Sequence, residues 1–428
     1  MRLGACTIIA PMSSQALLVP ELPAPPLRGL GIYVHIPFCV RKCAYCDFNT
    51  YAGLEALHET YVAALCREIT QAAPTHGHRK VDSVFIGGGT PTVLSGSQLA
   101  RILGALRAGF SMVPDCELTV EANPGATDQS RFRELADLGV NRLSLGAQSF
   151  QEAELRFLGR IHGVAELGTA VDAARAAGLQ RINLDLIFGL PGQERVAWHR
   201  SLDAALALAP EHLSLYSLIV EPETPLAAWV ASGRVAAPDD DLAADLYEDA
   251  RERMAAAGYL HYEIANWVRP PVAGEAVDAW TSPPGASRHN LRYWRNEDYL
   301  GFGPGAHSCL HQPAAEGAAH QARRWWNLKS VPEYIRRLGA GQVPEDQSER
   351  VVGALAMAES MMLGLRLVRE GLSWAAFQRL HGVDARECYA PILAELSEWG
   401  MLESSSSALR LSAKGVPLGN QIFSRFLP

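Results

Sequence analysis

The chain contains 428 residues, which is enough for two or three domains and a large hydrophobic core. Its composition, 48% hydrophobic and 20% charged, is that of an ordinary soluble globular protein. The formal net charge of −8 provides no basic field for nucleic acid, and no apolar run approaches the roughly 18 residues of a membrane span. These properties argue against a nucleic-acid-binding protein and against a membrane-spanning one.

Residues 1–30 are rich in Pro and Ala and show neither helical nor strand periodicity. Residues 3–6, Leu-Gly-Ala-Cys, have the form of a lipoprotein cleavage box, but no apolar segment precedes them. We therefore expect a disordered extension. Most of the eight cysteines are scattered without paired spacing, which is typical of a reducing compartment, so we expect a cytoplasmic protein.

From residue 31 onward, strand-like and helix-like stretches alternate about six times. This alternation predicts parallel strands joined by helical crossovers. Six units are fewer than the eight of a closed barrel, so we expect an α/β fold with an open, partial (β/α)6 barrel of the TIM type. The predicted strands are 31–36, 81–86, 116–122, 141–145, 181–187 and 212–218, with helices at 57–69, 99–106, 131–138, 164–177 and 196–208.

Three cysteines follow the first predicted strand in the spacing Cys39-x3-Cys43-x2-Cys46. A disulfide between two of them would leave the third unpaired, whereas all three can bind one inorganic centre, because thiolate suits iron–sulfur clusters and zinc. A [4Fe–4S] cluster usually takes four cysteines, so three would leave one iron open to another ligand. The alternative is a structural zinc site with His35 as fourth ligand, although the second half of a zinc motif is missing.

Glycines and polar residues follow the other predicted strands at their carboxyl ends, where β/α barrels carry their chemistry. All six strands therefore direct such residues to the same rim, and we expect a single site there. These residues are Gly88, Gly89 and Thr90 after strand two, Glu121 after three, Gln148 after four, Asp185 in five, and Tyr216 in six.

Residues 33–46, with the pattern Tyr-Val-His-Ile-Pro-Phe-Cys-x3-Cys-x2-Cys, resemble the signature of the radical S-adenosylmethionine (SAM) superfamily. More narrowly, they resemble the branch that contains oxygen-independent coproporphyrinogen III dehydrogenases and the HemW heme chaperones. The resemblance implies that Cys39, Cys43 and Cys46 hold a [4Fe–4S] cluster, whose open iron binds the amino and carboxylate groups of SAM. In enzymes of this superfamily the reduced cluster cleaves SAM to a 5′-deoxyadenosyl radical.

The same resemblance implies a set of SAM-binding residues. Carboxylates can accept hydrogen bonds from the ammonium and ribose groups of SAM, and arginine can bind its carboxylate. Arg160 could equally be a solvated helix end, and the two tyrosines could simply pack beside the cluster. The implied residues are Tyr33, Tyr45, Gly88, Gly89, Thr90, Glu121, Gln148, Arg160, Asp185 and His307, the last in a glycine-rich segment that resembles the one closing over the adenine of SAM.

A second motif, His289-Asn290-Leu-Arg-Tyr293-Trp294, follows a Pro- and Gly-rich stretch at 269–287 that we interpret as an inserted surface loop. The motif resembles a mark of the heme-chaperone branch and implies a role at bound heme. Imidazole is the commonest protein ligand of heme iron, so His289 is predicted as an axial ligand with the aromatic residues stacking on the macrocycle. The residues alone also fit a well-packed, hydrogen-bonded corner of the core.

From about residue 351 the pattern changes to helices followed by a short hairpin, which resembles a winged-helix module. No basic recognition helix is present, so we expect this module to pack against the barrel or to gate its mouth rather than to bind nucleic acid. Its aromatic surface leaves a homodimer open. The predicted organisation is an extension at 1–30, a radical SAM core at 31–225, a barrel-completing and linker region at 226–350, and a winged-helix-like domain at 351–428.

Position 48 separates the two functions that the resemblance suggests. The coproporphyrinogen dehydrogenases continue the motif as Cys-x-Cys, whereas Phe48 stands here. We therefore predict a heme chaperone that binds a [4Fe–4S] cluster, SAM and heme, leaving open whether SAM is cleaved. The alternative is an enzyme that oxidatively decarboxylates coproporphyrinogen III. The implied partners are heme-acceptor apoproteins such as respiratory enzymes and a reductant such as flavodoxin or ferredoxin, with membrane contact only through the acceptors.

Overall fold

The computed structural model describes residues 29–270, 277–312 and 321–428. The predicted N-terminal extension lies outside these residues except for its last two positions, and so does the 271–276 part of the predicted insertion. No helix within the described ranges is long and apolar enough to cross a membrane.

Six parallel strands alternate with helices along the first half of the chain, as the sequence predicts. The strands are β1 Leu30–Ile36, β2 Lys80–Gly88, β3 Ser111–Ala122, β4 Arg142–Gln148, β5 Ile182–Phe188 and β6 His212–Ser217. The helices between and after them are α1 His58–His76, α2 Gly96–Gly109, α3 Gln129–Asp137, α4 Glu152–Leu158, α5 Val164–Ala176, α6 Arg195–Ala207, α7 Pro225–Ala231 and α8 Asp240–Ala256.

Further strands extend this sheet at both edges to twelve strands among the described residues. They are β7 Leu260–Glu263, β8 Asn266–Val268, β9 Tyr299–Phe302, β10 His307–Gln312, β11 Gln321–Asn327 and β12 Glu345–Val352, with helices α9 Arg288–Trp294 and α10 Val331–Gly339. The order is β12-β11-β10-β9-β1-β2-β3-β4-β5-β6-β8-β7. Strand β9 pairs in parallel with β1, whereas β10, β11 and β12 continue in antiparallel fashion. The sheet is an open, partial barrel, which confirms the predicted fold class.

The parallel strands form because they bury apolar side chains on both faces. In β1, Leu30, Ile32, Val34 and Ile36 are fully buried, and β5 shows the same nearly continuous apolar run. Strands covered on both faces by helices or by the barrel interior have this composition. The helices begin at clear signals, for example at Ser95, whose side chain forms a capping box with Gln98 at the start of α2.

The C-terminal part contains a three-stranded sheet and a group of helices. Its elements are α11 Gly353–Gly364, β13 Leu372–Ser373, α12 Trp374–His381, α13 Ala385–Cys388, α14 Ala390–Glu398, β14 Leu402–Ser404, β15 Ala408–Leu411 and α15 Gly419–Ser424. The helical pattern expected from Val351 begins only at Gly353, because Val351 and Val352 pair with β11 as the end of β12. The predicted domain boundary at residue 351 thus falls inside a strand of the large sheet.

Helix α9, which carries the His-Asn motif, closes the barrel near the amino ends of its strands. Arg288 donates to Asp115 in β3 at 2.8 Å, and Arg292 forms an ion pair with Asp82 in β2. Arg292 is almost fully buried and also donates to the Gly29 carbonyl at 2.9 Å. Helix α11 packs against α9, so the C-terminal part lies behind this helix. The motif helix and the cysteine loop therefore approach the barrel from opposite ends.

Candidate functional site

The carboxyl ends of β1 to β6 surround a cavity of about 380 Å³. We call it the cysteine cavity, because all three motif cysteines line it. Every one of the six strands contributes a side chain or a following loop, as expected for a β/α barrel. The predicted residues that line it are Cys39, Cys43, Tyr45, Cys46, Gly88, Gly89, Thr90, Glu121, Gln148, Arg160 and Asp185.

The three motif thiols are free, and two of them receive hydrogen bonds. The Thr90 hydroxyl donates to Cys39 Sγ at 3.6 Å, and the Arg160 guanidinium donates to Cys43 Sγ at 3.5 Å. Burial raises the pKa of the Cys39 and Cys46 thiols. Hydrogen bonds to sulfur and burial are two of the factors by which a protein tunes a thiolate-bound iron–sulfur cluster.

These residues fit a [4Fe–4S] cluster better than a single metal ion. The described parts of the chain contain no group of three His, Cys, Asp or Glu side chains close enough to hold one ion. In a cluster each cysteine binds a different iron, so the thiolates need to surround the cavity rather than meet at one point. His35, the fourth ligand of the zinc alternative, is already engaged, since its ring nitrogens bond to the Tyr33 hydroxyl and the Asn49 carbonyl, both at 2.9 Å.

The triple-glycine loop after β2 lies against the cysteine loop. The Gly89 amide donates to the Ile36 carbonyl at 2.8 Å, and the Thr90 amide donates to the Phe38 carbonyl at 2.8 Å. A Cβ atom at Gly89 would lie 2.4 Å from the Phe38 carbonyl oxygen, so only glycine permits this approach. Gly88 has a φ of 108°, a conformation that other residues rarely adopt.

Two half-buried carboxyl groups, Glu121 and Asp185, face the cysteine cavity. Burial and the neighbouring Asp185 raise the pKa of Glu121 to about 8, while the Gly88 amide donates to its Oε2 at 3.0 Å. Burial also raises the pKa of Asp185, although Ser144 and Asn183 each donate to it at 2.8 Å. A cationic ligand would favour the ionised forms of this pair.

Arg160 and Gln148 present further polar groups to the same cavity. Arg160 donates to the Gly146 carbonyl at 2.7 Å, but its buried Nε has no hydrogen-bond partner within the described residues. Gln148 has a φ of 68°, an uncommon conformation for this residue, at a register shift between β4 and β5. Such strain is concentrated at ligand sites. An unsatisfied donor and a strained backbone therefore point to a ligand with acceptor groups, and the carboxylate of SAM is a group of this kind.

A second cavity of about 540 Å³ adjoins the cysteine cavity. We call it the histidine cavity, because His35 and His307 line it together with several aromatic side chains. Of the predicted SAM residues, Tyr33 and His307 line this cavity and not the cysteine cavity. The walls of both cavities are formed in part by the same five residues, Asp47, Phe48, Thr50, Gly88 and Glu121.

The four residues of the predicted heme motif lie on one helix but have different surroundings. His289 is 1% exposed, and its ring nitrogens bond to the Ser83 hydroxyl at 3.2 Å and to the Tyr293 hydroxyl at 3.0 Å. Tyr293 lines the histidine cavity, so His289 lies one hydrogen bond behind the cavity wall. The guanidinium carbon of Arg366 lies 4.2 Å from the centroid of the Trp294 ring. Trp294 lines neither cavity.

The last predicted heme residue, Asn290, lies in the first turn of α9, where its backbone amide donates to the capping Ser287 hydroxyl at 3.3 Å. It lines neither cavity. In this conformation His289 offers no free nitrogen to iron. Ligation by His289 stays a prediction that would require one of its hydrogen bonds to break.

Sequence reasoning missed a hydrogen-bonded pair, His162 and Asn123, that supports the cysteine cavity. His162 bonds to the Asn123 side-chain oxygen at 3.0 Å and to the Ala147 carbonyl at 3.2 Å. Burial and the nearby Arg160 lower the pKa of His162 to about 4, so the imidazole is neutral at physiological pH and its single N–H donates to one of these two oxygens at a time. The sequence signal that could have identified His162 is its position two residues after Arg160, a predicted SAM-binding residue. The pair connects the loop after β3 to the end of β4.

Family models match this chain in two places: the radical SAM superfamily at residues 33–205 and the HemN C-terminal domain at residues 355–418. The heme chaperone HemW of Mycobacterium tuberculosis is 35% identical over 407 residues, which are 94% of this chain and 96% of that protein. The chain belongs to the HemW family of radical SAM proteins. This membership confirms the resemblance seen in the sequence motifs.

Other HemW proteins show similar agreement. The heme chaperone HemW of Bacillus subtilis is 35% identical over 396 residues, with 92% of this chain and 98% of that protein covered. Among solved structures, coproporphyrinogen III oxidase (HemN) from Escherichia coli has a TM-score of 0.73 and 23% identity over 94% of this chain and 90% of that chain. At this identity the likeness shows the shared fold.

Proposed function

We propose that this HemW family member is a heme chaperone that binds a [4Fe–4S] cluster, SAM and heme and transfers heme to acceptor proteins. The observation that carries the proposal is the pair of adjoining cavities at one rim of the barrel. One is lined by three free cysteines, and the other by aromatic rings and histidines. Membership of the HemW family supports the same function.

In this proposal Cys39, Cys43 and Cys46 hold the cluster, which supplies one-electron chemistry at SAM when both are bound. The protein contributes charge and position. The Arg160 guanidinium lies beside the Cys43 sulfur and offsets the negative charge that accumulates on cluster thiolates. The Thr90 hydroxyl donates to the Cys39 sulfur in the same way.

SAM would occupy the rest of the cysteine cavity. The glycine loop allows its methionine end to approach the backbone, because a side chain at Gly89 would collide with the cysteine segment. The half-buried carboxyl groups of Glu121 and Asp185 match its positive charge, and the unpaired Arg160 Nε matches its carboxylate. Tyr45, which lines the cavity beside these groups, supplies an aromatic wall.

Phe48 supports carriage of heme over the decarboxylation of coproporphyrinogen III. Its side chain is 59% exposed and lines both cavities, at the position where the dehydrogenases continue the cysteine motif. A large apolar side chain there adds hydrophobic area for a macrocycle and no further thiol. The acceptor apoproteins, a reductant such as flavodoxin or ferredoxin, a homodimer and a cytoplasmic location remain parts of this proposal.

Heme transfer tests the proposal directly. Cluster-reconstituted protein loaded with one equivalent of heme is mixed anaerobically with a heme-free b-type cytochrome, and the absorbance of the reconstituted cytochrome is followed. We expect transfer that is faster than uptake from the same amount of albumin-bound heme. A matched reaction with SAM, reductant and coproporphyrinogen III is analysed by mass spectrometry. Vinyl products above one equivalent, with no heme transfer, would show that the protein is a coproporphyrinogen III dehydrogenase and not a heme chaperone.

A further inference from the structure

The histidine cavity has the size and lining of a site for a large flat ligand. Its volume of about 540 Å³ lies within the usual range of small-molecule sites, and it is partly open to solvent. Aromatic side chains from distant parts of the chain line it, among them Tyr33, Phe48, Tyr51, Tyr293 and Tyr299. Such a lining suits a macrocycle, which gains from broad aromatic contact.

His307 is the imidazole in this cavity that is available to a metal. It is the first residue of β10, and its side chain is exposed. Its ring stacks on Trp326 of the paired strand β11, with centroids 5.3 Å apart and planes at 24°. Within residues 29–270, 277–312 and 321–428 neither ring nitrogen has a hydrogen-bond partner. The stacking thus sets the ring plane while the nitrogens remain free.

The second histidine of this cavity and two of its tyrosine hydroxyls are engaged. Both His35 nitrogens are hydrogen-bonded, one to the Tyr33 hydroxyl and one to the Asn49 carbonyl. Burial raises the pKa of Tyr33 and Tyr293 well above the usual phenol value, so neither supplies a phenolate. Each of these hydroxyls also bonds to a histidine, and His289 lies behind Tyr293.

The charges around His307 suit the binding of a ferric macrocycle with carboxylate side chains. Partial burial and the cations Arg324 and Lys329 lower the pKa of His307 against the opposing effect of Glu349. The ring is therefore neutral at physiological pH, and neutral imidazole is the form that binds metals. Lys42 and Lys329 line the same cavity and can pair with propionates, while Asp47 and Glu121 are acidic residues of its lining.

We propose that the histidine cavity is the heme-carrying site and that His307 is the axial ligand of its iron, with Lys42 and Lys329 facing the propionates. This inference rests on the proposed function. A single ligand in a cavity open to solvent leaves one heme face uncoordinated by the protein. Such a site can hand heme on to an acceptor that offers a second ligand, which is what carriage requires.

Hemin titration of the full-length protein, followed by Soret absorbance and magnetic circular dichroism, tests the assignment. Wild type is expected to give the spectrum of histidine-ligated heme. His307→Ala should lose that spectrum and bind hemin at least about tenfold more weakly, the equivalent of about 1.4 kcal/mol. Free imidazole added to His307→Ala should restore the histidine-type spectrum, which shows that the variant is folded and its cavity intact. His307→Gln, a second variant without an imidazole, should lose the same spectrum.

Two further variants make the outcomes distinct. His78→Ala removes an exposed histidine at the amino end of β2 and should leave the titration unchanged. If wild type itself binds no hemin, the proposed function fails. If wild type binds hemin and His307→Ala gives the same spectrum and affinity, only the His307 assignment is overturned. A histidine spectrum lost in His289→Ala and retained in His307→Ala would overturn it as well and assign the ligand to His289.

Discussion

The two adjoining cavities are built in different ways. The cysteine cavity collects the carboxyl ends of six consecutive parallel strands, and its lining residues all lie between positions 39 and 221. The histidine cavity combines β1, its following loop, Gly88 and Glu121 with residues from 293 to 329, and it depends on β9 joining the sheet beside β1. A repeated βα unit places successive loops on one rim by a single rule, whereas the second cavity depends on a long-range strand pairing.

The largest effect that separates the cavities is expected from the cluster ligands. Cys43→Ala should lose most of the iron and sulfide of anaerobically reconstituted protein, because two thiolates cannot retain a three-cysteine cluster. Hemin binding in the histidine cavity should persist, since no motif cysteine lines it. Iron and sulfide analysis measures the first effect. Cys388→Ala, at an exposed cysteine, is the control, and a full cluster in Cys43→Ala would refute the ligand assignment.

The next largest effect concerns the glycine loop. Gly89→Ala would place a methyl group 2.4 Å from the Phe38 carbonyl oxygen, so the loop must shift and SAM affinity should fall by about tenfold or more. Equilibrium dialysis with labelled SAM measures this change. The matched control is Gly104→Ala in α2, where the added methyl group would have no neighbouring atom within 4 Å. Helix propensity predicts that this control gains about 0.5–1 kcal/mol in stability. Unchanged SAM affinity in Gly89→Ala would show that this loop does not hold the ligand.

Glu121 should give SAM binding a pH dependence. With its pKa raised to about 8, the empty site holds a largely protonated carboxyl at pH 7, and a cationic ligand favours the carboxylate. SAM affinity should therefore rise by up to about tenfold per pH unit below pH 8 and level off above that pH. Glu121→Gln should remove this dependence and weaken binding most at pH 8.5. Glu398→Gln, at an exposed carboxylate, should retain it, and the same slope in both variants would contradict the role of Glu121.

The last expected effect is on the stability of the fold and not on a ligand. His289→Ala would leave the buried Ser83 hydroxyl and the half-buried Tyr293 hydroxyl without this partner, which should cost about 2 kcal/mol of unfolding free energy. Urea denaturation measures the loss. His78→Ala, at an exposed position, should change stability by less than about 0.5 kcal/mol. Equal stability of both variants would show that His289 does not support the wall of the histidine cavity.

The sequence predicted the parallel strands well because each contains a short apolar or alternating run that is followed by glycines or polar residues. For the same reason it predicted most of the lining of the cysteine cavity. Strand β12 was missed because Glu345–Val352 is mostly polar and exposed, pairs on one side only and shows no apolar alternation. The position of His307 could not be predicted either, since it depends on the pairing of β9 with β1.

The hydrogen bond from the Gly88 amide to Glu121 lies in the wall that both cavities share. A ligand in either cavity that changes the charge on Glu121 also changes the electrostatic potential in the other cavity. Thermodynamic linkage makes this coupling reciprocal, so the factor by which SAM alters heme affinity equals the factor by which heme alters SAM affinity. Under the proposed function, SAM occupancy would then regulate when heme is held and when it is released, even in a cycle that leaves SAM intact.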